Sequence, residues 1–323
     1  MKISVIIPTY NMAHFIGDAI DSVLAQTLQD IEIIVMDDGS TDGTTARVVP
    51  YPAEKVRYRF QENSGFPGAV RNAAIKSAKG EYIAFLDADD RMRPERLAKQ
   101  LEFLEAHKDV AAVFCDYQNF SADERHHVRH FQRCPLLASM LGSKDSLVLS
   151  RQAATELLAK ENIGLPSSMM VRRQVPIRIA ANAAQAMMDL PQFPTDLKVG
   201  EDFHFTYTIA RFSQVGILNF VGCDRRLHGA NLSAESIASL RSKLESRRRL
   251  IATEYHRPAR QHLKHFVSRV RVMLARELGN QRQFVPSLWQ CVITARHSLV
   301  TSARLTMRLL AIAVGARKAI PGS

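Results

Sequence analysis

Two acids stand two residues apart in the run Leu86-Asp87-Ala88-Asp89-Asp90, directly after Tyr82–Leu86, an apolar stretch of strand length. In extended backbone the side chains at i and i+2 point to the same side, so Asp87 and Asp89 face one site. Two carboxylates at a strand end suit a hard divalent cation such as Mg²⁺ or Mn²⁺, with water and a diphosphate as its remaining ligands. The competing reading is an acidic, solvated loop that caps the next helix. Pro8-Thr9-Tyr10-Asn11 ends another apolar run and offers an aromatic ring and small polar groups to a nucleobase. Asp37-Asp38-Gly39-Ser40-Thr41-Asp42 ends a third and reads as a turn. Glu201-Asp202 opens a segment of helical character. An acid there is either an ordinary helix cap or an ionised carboxylate available as a general base. His228 lies in a polar loop, where it suits a metal, a phosphate oxygen or a backbone hydrogen bond. Arg225 and Arg226 beside it suit phosphates or solvent.

The elements that must position these groups follow from periodicity. Ile3–Pro8, Ile31–Met36, Val56–Phe60, Tyr82–Leu86 and Val110–Phe114 read as strands. Between them Ile16, Ala19, Ile20, Val23 and Leu24 recur at helical spacing, Ala69–Ala78 reads as a helix, and Pro94 opens another with Leu97, Leu101 and Leu104 on one face. Strands alternating with helices predict βαβ units: an α/β fold with a mainly parallel, Rossmann-like sheet flanked by helices. Right-handed crossovers gather the loops that follow the strands at one edge, where such sheets bind ligands. Residues 116–230 are less regular, with short apolar runs at Ser146–Leu149 and Ser168–Val171. From Glu235 the pattern is helical: Leu263, Phe266, Val267, Val270 and Leu274 share one face, and Lys264, His265, Arg269, Arg271 and Arg276 the other.

Taken together, Pro-Thr-Tyr-Asn, Asp-Asp-Gly-Ser-Thr-Asp, Asn63-Ser64-Gly65 with Arg71-Asn72, and Leu-Asp-Ala-Asp-Asp resemble, in order and spacing, the family 2 glycosyltransferases of GT-A fold. Gly200-Glu201-Asp202 is similar to that family's Glu-Asp motif, and Arg226-Leu227-His228-Gly229-Ala230-Asn231-Leu232-Ser233 to its closing loop. The resemblance covers roughly residues 2–233. It implies a nucleotide-sugar donor, usually a UDP-sugar, and transfer with inversion to a glycan or lipid-linked oligosaccharide, as in surface polysaccharide biosynthesis. By residue, it implies Thr9 and Tyr10 at the uracil, Asp38 at its N3–H, Asp87 at the ribose, and Pro8, Asn11, Asp37, Arg71 and Ala88 completing the donor contacts. Asp89 would hold the Mn²⁺ or Mg²⁺, with His228 as a second ligand, and Asp202 would be the general base. The loop between Gly65 and Arg71 is one residue longer than the family's pattern. Asp123–Arg133 is a His- and Arg-rich insertion that reads as a solvated loop near the acceptor rather than a metal site at His126 and His130. Pro166–Met170 is expected on the acceptor side.

The 323 residues divide into an expected catalytic domain at 1–234 and a basic helical region at 235–323. Within the first, 1–115 is the nucleotide-sugar half and 116–234 the acceptor-side half. From residue 235 on there are 17 lysines and arginines against 4 acids; the remainder has 26 against 28. Such a tail suits an anionic membrane surface, with Val285–Ala316 as an interfacial helix, or simple packing with one solvated face. Nucleic acid is disfavoured, since no recognition module or aromatic platform accompanies the charge. No apolar run reaches the length of a spanning helix, and no signal-peptide pattern precedes Ile3. Four widely separated cysteines, Cys115, Cys134, Cys223 and Cys291, argue for reduced thiols and a cytoplasmic setting. Two other functions fit the same sheet: a sugar nucleotidyltransferase, which wants a Gly- and Lys-rich loop where Thr9-Tyr10-Asn11-Met12 stands, and a non-catalytic sugar-nucleotide-binding protein.

Overall fold

A computed structural model describes residues 1–121, 125–177, 186–228 and 236–281, together with 286, 290 and 293. Four of the expected strands lie side by side and parallel: β1 (Ile3–Thr9), β2 (Ile31–Asp37), β3 (Val56–Phe60) and β4 (Tyr82–Phe85), in the order β3-β2-β1-β4. Ile3, Val5, Ile6 and Ile7 of β1 are all buried. A strand covered on both faces needs apolar residues at every position, which is why these strands read as unbroken apolar runs. Helices α1 (Ile16–Leu24), α2 (Thr44–Val48) and α3 (Pro67–Ser77) follow the first three strands. α3 starts two residues before the apolar spacing predicts, with Pro67 in its first turn, where the missing N–H costs nothing.

Beyond β4 the sheet becomes mixed. A two-residue strand β5 (Arg91–Met92) precedes α4 (Arg96–Ala106), which begins just after Pro94. The strand predicted over 110–114 continues to Phe120 as β6 (Val110–Phe120). β7 (Arg125–Arg129) folds back on β6, followed by α5 (Pro135–Leu141), β8 (Ser146–Leu149), α6 (Arg151–Lys160) and β9 (Met169–Arg172). β9 runs antiparallel between β4 and β6, so it closes the gap in the parallel series. A separate hairpin of β10 (Gln174–Ile177) and β11 (Ala186–Asp189) leads toward α7 (Glu201–Phe212) and the long β12 (Gln214–Arg226), which pairs with β6, β8 and β5.

The insertion is not a solvated loop over its described part. Arg125–Arg129 is a sheet strand, and His130 stacks on Tyr117 at 4.3 Å while its Nε2 lies 2.6 Å from the carbonyl of Asn162. Burial lowers its pKa. His126 and His130 are therefore not one turn apart on a helix. Cys115, Cys134 and Cys223 are buried free thiols.

The chain separates into two compact units, Met1–Asn231 and Leu232–Ser323. In the second, α8 (Ile237–Thr253) packs on α9 (Arg257–Asn280) through Leu240, Leu244, Val267, Val270, Leu274 and Leu278. Lys264, His265, Arg269 and Arg276 are exposed, so the amphipathic division read from the sequence is present. Among the described residues no helix is long and apolar enough to cross a membrane. The interfacial helix expected over 285–316 lies outside the described residues, apart from three positions.

Candidate active site

The loops after β1 and β2 bind each other. Asn11 takes a left-handed backbone (φ 52°), a conformation asparagine tolerates better than most residues. It donates its N–H to Ser40 Oγ (2.8 Å), and its Oδ1 accepts from the Thr41 N–H (2.8 Å). The N–H groups of Met12 and Ala13 reach Thr44 Oγ1 and Asp42 Oδ2. Asp37 accepts from the Ser40 N–H and from the Tyr58 hydroxyl, both at 2.8 Å. Asp38, assigned by resemblance to the uracil, is buried, and both its oxygens already accept from Gln61 Nε2, the Ser64 N–H and Oγ, and the Gly65 N–H. Those contacts hold the 61–65 loop against the end of β2. Gly39 has φ 82°, and a Cβ there would sit 2.9 Å from the Asn63 backbone nitrogen, so that turn requires glycine. Two features remain available: the Tyr10 ring, 48% exposed at the end of β1, and Thr9 Oγ1, which is buried with no hydrogen-bond partner among the described residues. Pro8 precedes them on β1.

After β4 the chain turns through the acids. Asp87 accepts from Arg71 Nη2 (2.7 Å), and its N–H donates to Ser167 Oγ (2.9 Å). Ala88 is buried. Asp89 Oδ2 lies 2.8 Å from His228 Nε2. Burial first, then the charge of Asp87, raises the Asp89 pKa, and His228 opposes the shift. Asp90 is buried and accepts the Arg226 N–H (2.9 Å); burial and its two acidic neighbours push it well above the usual carboxylate range.

The Arg226 side chain is mostly buried and turned inward. It donates Nε to the Asp89 carbonyl and Nη2 to Asp18 Oδ2 on α1, and its guanidinium lies over the rings of Phe15 and Phe120. Phe15 also packs on His228, with ring centroids 4.9 Å apart. The end of β12 is thus clamped beside the strand-end acids. Residues 229–233 of the closing motif lie outside the described residues.

Asp202 is the second residue of α7, after Gly200 in a left-handed conformation (φ 86°). It is half-buried, accepts the Phe203 N–H (2.7 Å) and lines a small crevice with Asn162, Gly164 and Pro166. Glu201 is buried, and its Oε1 accepts from Arg71 Nη1 (2.8 Å). Burial and the neighbouring Asp202 push Glu201 up to about 7, against the opposing pull of Arg71. One guanidinium therefore joins Asp87, after β4, to Glu201 at the start of α7, and feels the charge of Asp202 beside it.

The donor set suits a divalent cation. A carboxylate oxygen and an imidazole nitrogen lie side by side, and Mg²⁺ and Mn²⁺ sites commonly take the rest of their shell from water and substrate phosphate. Among the described residues no cluster of three or more protein ligands occurs.

Sequence reasoning gave no role to Asp90, Asp18 or Phe15, and Ser167 only a place in the segment expected on the acceptor side. Ser167 accepts the Asp87 N–H because β9, which follows it, runs between β4 and β6. The third acid of Leu-Asp-Ala-Asp-Asp was the available signal for Asp90. Asp18 and Phe15 carry none, since nothing local marks them.

Comparison with known proteins agrees with this architecture. Residues 4–176 match the family described as Glycosyl transferase family 2. An uncharacterized glycosyltransferase of Nostoc sp. is 33% identical over 247 residues, 74% of this chain and 69% of the relative. The chain therefore belongs to glycosyl transferase family 2. TuaG of Bacillus subtilis, whose name assigns it to teichuronic acid biosynthesis, is 40% identical over 126 residues, covering 38% of this chain and 48% of TuaG. The chain likewise spans only 40% of the length of a Rickettsia typhi relative. Among solved structures, Staphylococcus aureus TarS 1–349 in complex with UDP-GlcNAc superposes with a TM-score of 0.63 at 19% identity, over 96% of this chain and 89% of that one. A Pyrobaculum calidifontis mannosyltransferase in complex with GDP-Man and Mn²⁺ superposes with a TM-score of 0.58 at 18% identity, over 97% and 80%. These two share the fold.

Proposed function

We propose that the chain is an inverting, metal-dependent glycosyltransferase that moves a hexosyl group from a UDP-sugar to a glycan or lipid-linked oligosaccharide of a surface polysaccharide. The observation that carries this reading is the Arg71 bridge that ties Asp87, among the strand-end acids, to Glu201, next to Asp202 at the start of α7. Tyr10 offers its exposed ring to the base and Thr9 its unpartnered hydroxyl. Asp87 accepts from the ribose. Asp89 and His228 would hold a divalent cation, which would supply positive charge to stabilise a diphosphate leaving group. The acceptor hydroxyl attacks the anomeric carbon from the face opposite the diphosphate and loses its proton to the Asp202 carboxylate, and the carbon–oxygen bond to the diphosphate breaks. TarS binding UDP-GlcNAc and the mannosyltransferase binding GDP-Man with Mn²⁺ support the donor class and the cation. The name of TuaG supports a polysaccharide acceptor.

The test is a melting panel of UDP-, GDP-, dTDP- and CMP-sugars with and without Mn²⁺, since a ligand that binds only the folded state raises Tm by mass action. A UDP-sugar should give the largest rise, and only with the cation. No rise for any member would overturn the reading. The exposed basic residues of α9 support attachment to an anionic membrane, with each Lys or Arg near the surface adding about 1 kcal/mol. Replacing Arg260, Lys264 and Arg269 by Glu should abolish sedimentation with phosphatidylserine vesicles.

A further inference from the structure

We propose that Arg71, Asn72 and Glu201 are positioning residues that lock the start of α7, and with it Asp202, in register with the nucleotide edge at Asp87. The proposal rests on Asp202 as the general base. It starts from three consecutive contacts between α3 and the segment entering α7. Gly68 lies so close to that segment that a Cβ would fall 2.1 Å from the Pro194 carbonyl oxygen. Asn72 forms a two-way pair with the Phe193 backbone, donating Nδ2 to its carbonyl (2.8 Å) and accepting its N–H (2.9 Å). Arg71 reaches Glu201 with Nη1 and Asp87 with Nη2.

The ring of Phe193 then stacks on Phe205 of α7 at 3.8 Å, nearly parallel at 8°, while the Arg71 guanidinium lies 5.5 Å above the Phe193 ring. α7 is therefore gripped twice from α3: at its first residue through Glu201, and one turn later through Phe205.

Arg71 is 5% exposed, and both terminal nitrogens are committed to carboxylates, which leaves little of it to offer a donor. A buried guanidinium fork between two acids fixes both in distance and angle, which lysine would not do. Such rigidity matters at a base, since misplacing a reacting group by about 1 Å costs roughly 100-fold in rate. Glu201 and Asn72 have no role in donor contact in this arrangement. They act on the rate through Asp202 alone.

The experiment measures UDP release from the best sugar nucleotide of the melting panel, in single turnover with radiolabelled donor, for the full chain. Glu201→Gln keeps the shape of the contact and removes its charge; Asn72→Ala breaks the separate Phe193 grip, so one substitution that fails to fold leaves the other. Each should lower the rate about 30- to 100-fold while the UDP dissociation constant, from melting shifts, stays within threefold. Combined with Asp202→Asn, each should cost less than a further threefold, because a positioning residue has nothing left to position. A loss confined to UDP affinity, or a full multiplicative loss in the Asp202→Asn background, would overturn the proposal. Full activity of Asp202→Asn alone would instead overturn the base assignment beneath it.

Discussion

The two groups of loops that carry the candidate site are built differently. On the side proposed to hold the nucleotide, the loops after β1 and β2 tie to each other, and the end of β2 ties to β3 and the 61–65 loop, across separations of 21 to 32 residues. On the side proposed to be catalytic, Arg71 and Asp87 are 16 residues apart, but the other contacts that place Asp87, Asp89, Asp90 and Glu201 join residues 80 to 139 apart. The first side can form once three adjacent parallel strands pair. The second requires β9 to enter the sheet, β12 to reach its end and α7 to dock on α3. Loss of one contact should therefore act locally on the nucleotide side and spread through shared partners on the catalytic side.

The largest effect should come from Asp202→Asn, with a rate loss of about 100- to 10,000-fold and little change in UDP affinity. An unchanged rate would break the comparison outright, because the catalytic side would then lack a catalytic group. Next, Asp89→Ala should abolish the Mn²⁺-dependent part of the melting shift with UDP. His228→Ala should weaken Mn²⁺ affinity by about 10- to 100-fold. Equal Mn²⁺ shifts in wild type and both variants would remove Asp89 and His228 from the cation. Tyr10→Ala tests the opposite side: donor KM should rise about 5- to 100-fold at unchanged kcat and Tm, as loss of one base–aromatic stack predicts. A fall in kcat there would show that the two sides are not separable.

The smallest effect is a pH dependence of stability. Glu201 is raised from the ordinary 4.5 to about 7, so the folded state holds that proton more tightly than the unfolded chain. Its stabilising contribution is complete below about pH 4.5 and is lost as pH rises through about 7. Tm of wild type minus Tm of Glu201→Gln should therefore shrink between pH 5 and pH 8. A difference that grows over that range would reverse the sign of the Glu201 shift.

Sequence alone determined the alternation of strands and helices, the parallel sheet edge at which the polar groups gather, and the amphipathic division of α9. Each depends on periodicity or on turn chemistry within a few residues, and the physics of burial writes those into the order of side-chain types. It also put Asp87 and Asp89 on one side of a strand end, whereas Asp202 and His228 drew their roles from the family's motifs rather than from any local pattern. Tertiary structure decided what those groups touch. Arg71, grouped with the donor contacts from its motif, is drawn into the interior by two carboxylates, one of them 130 residues away. Arg226 turns inward to Asp18 and the backbone of Asp89, and Ser167 slides under Asp87 because β9 is threaded between β4 and β6. A buried charge must find a counter-charge wherever packing brings one. That partner is chosen by the fold in three dimensions, and no local run of residues encodes it.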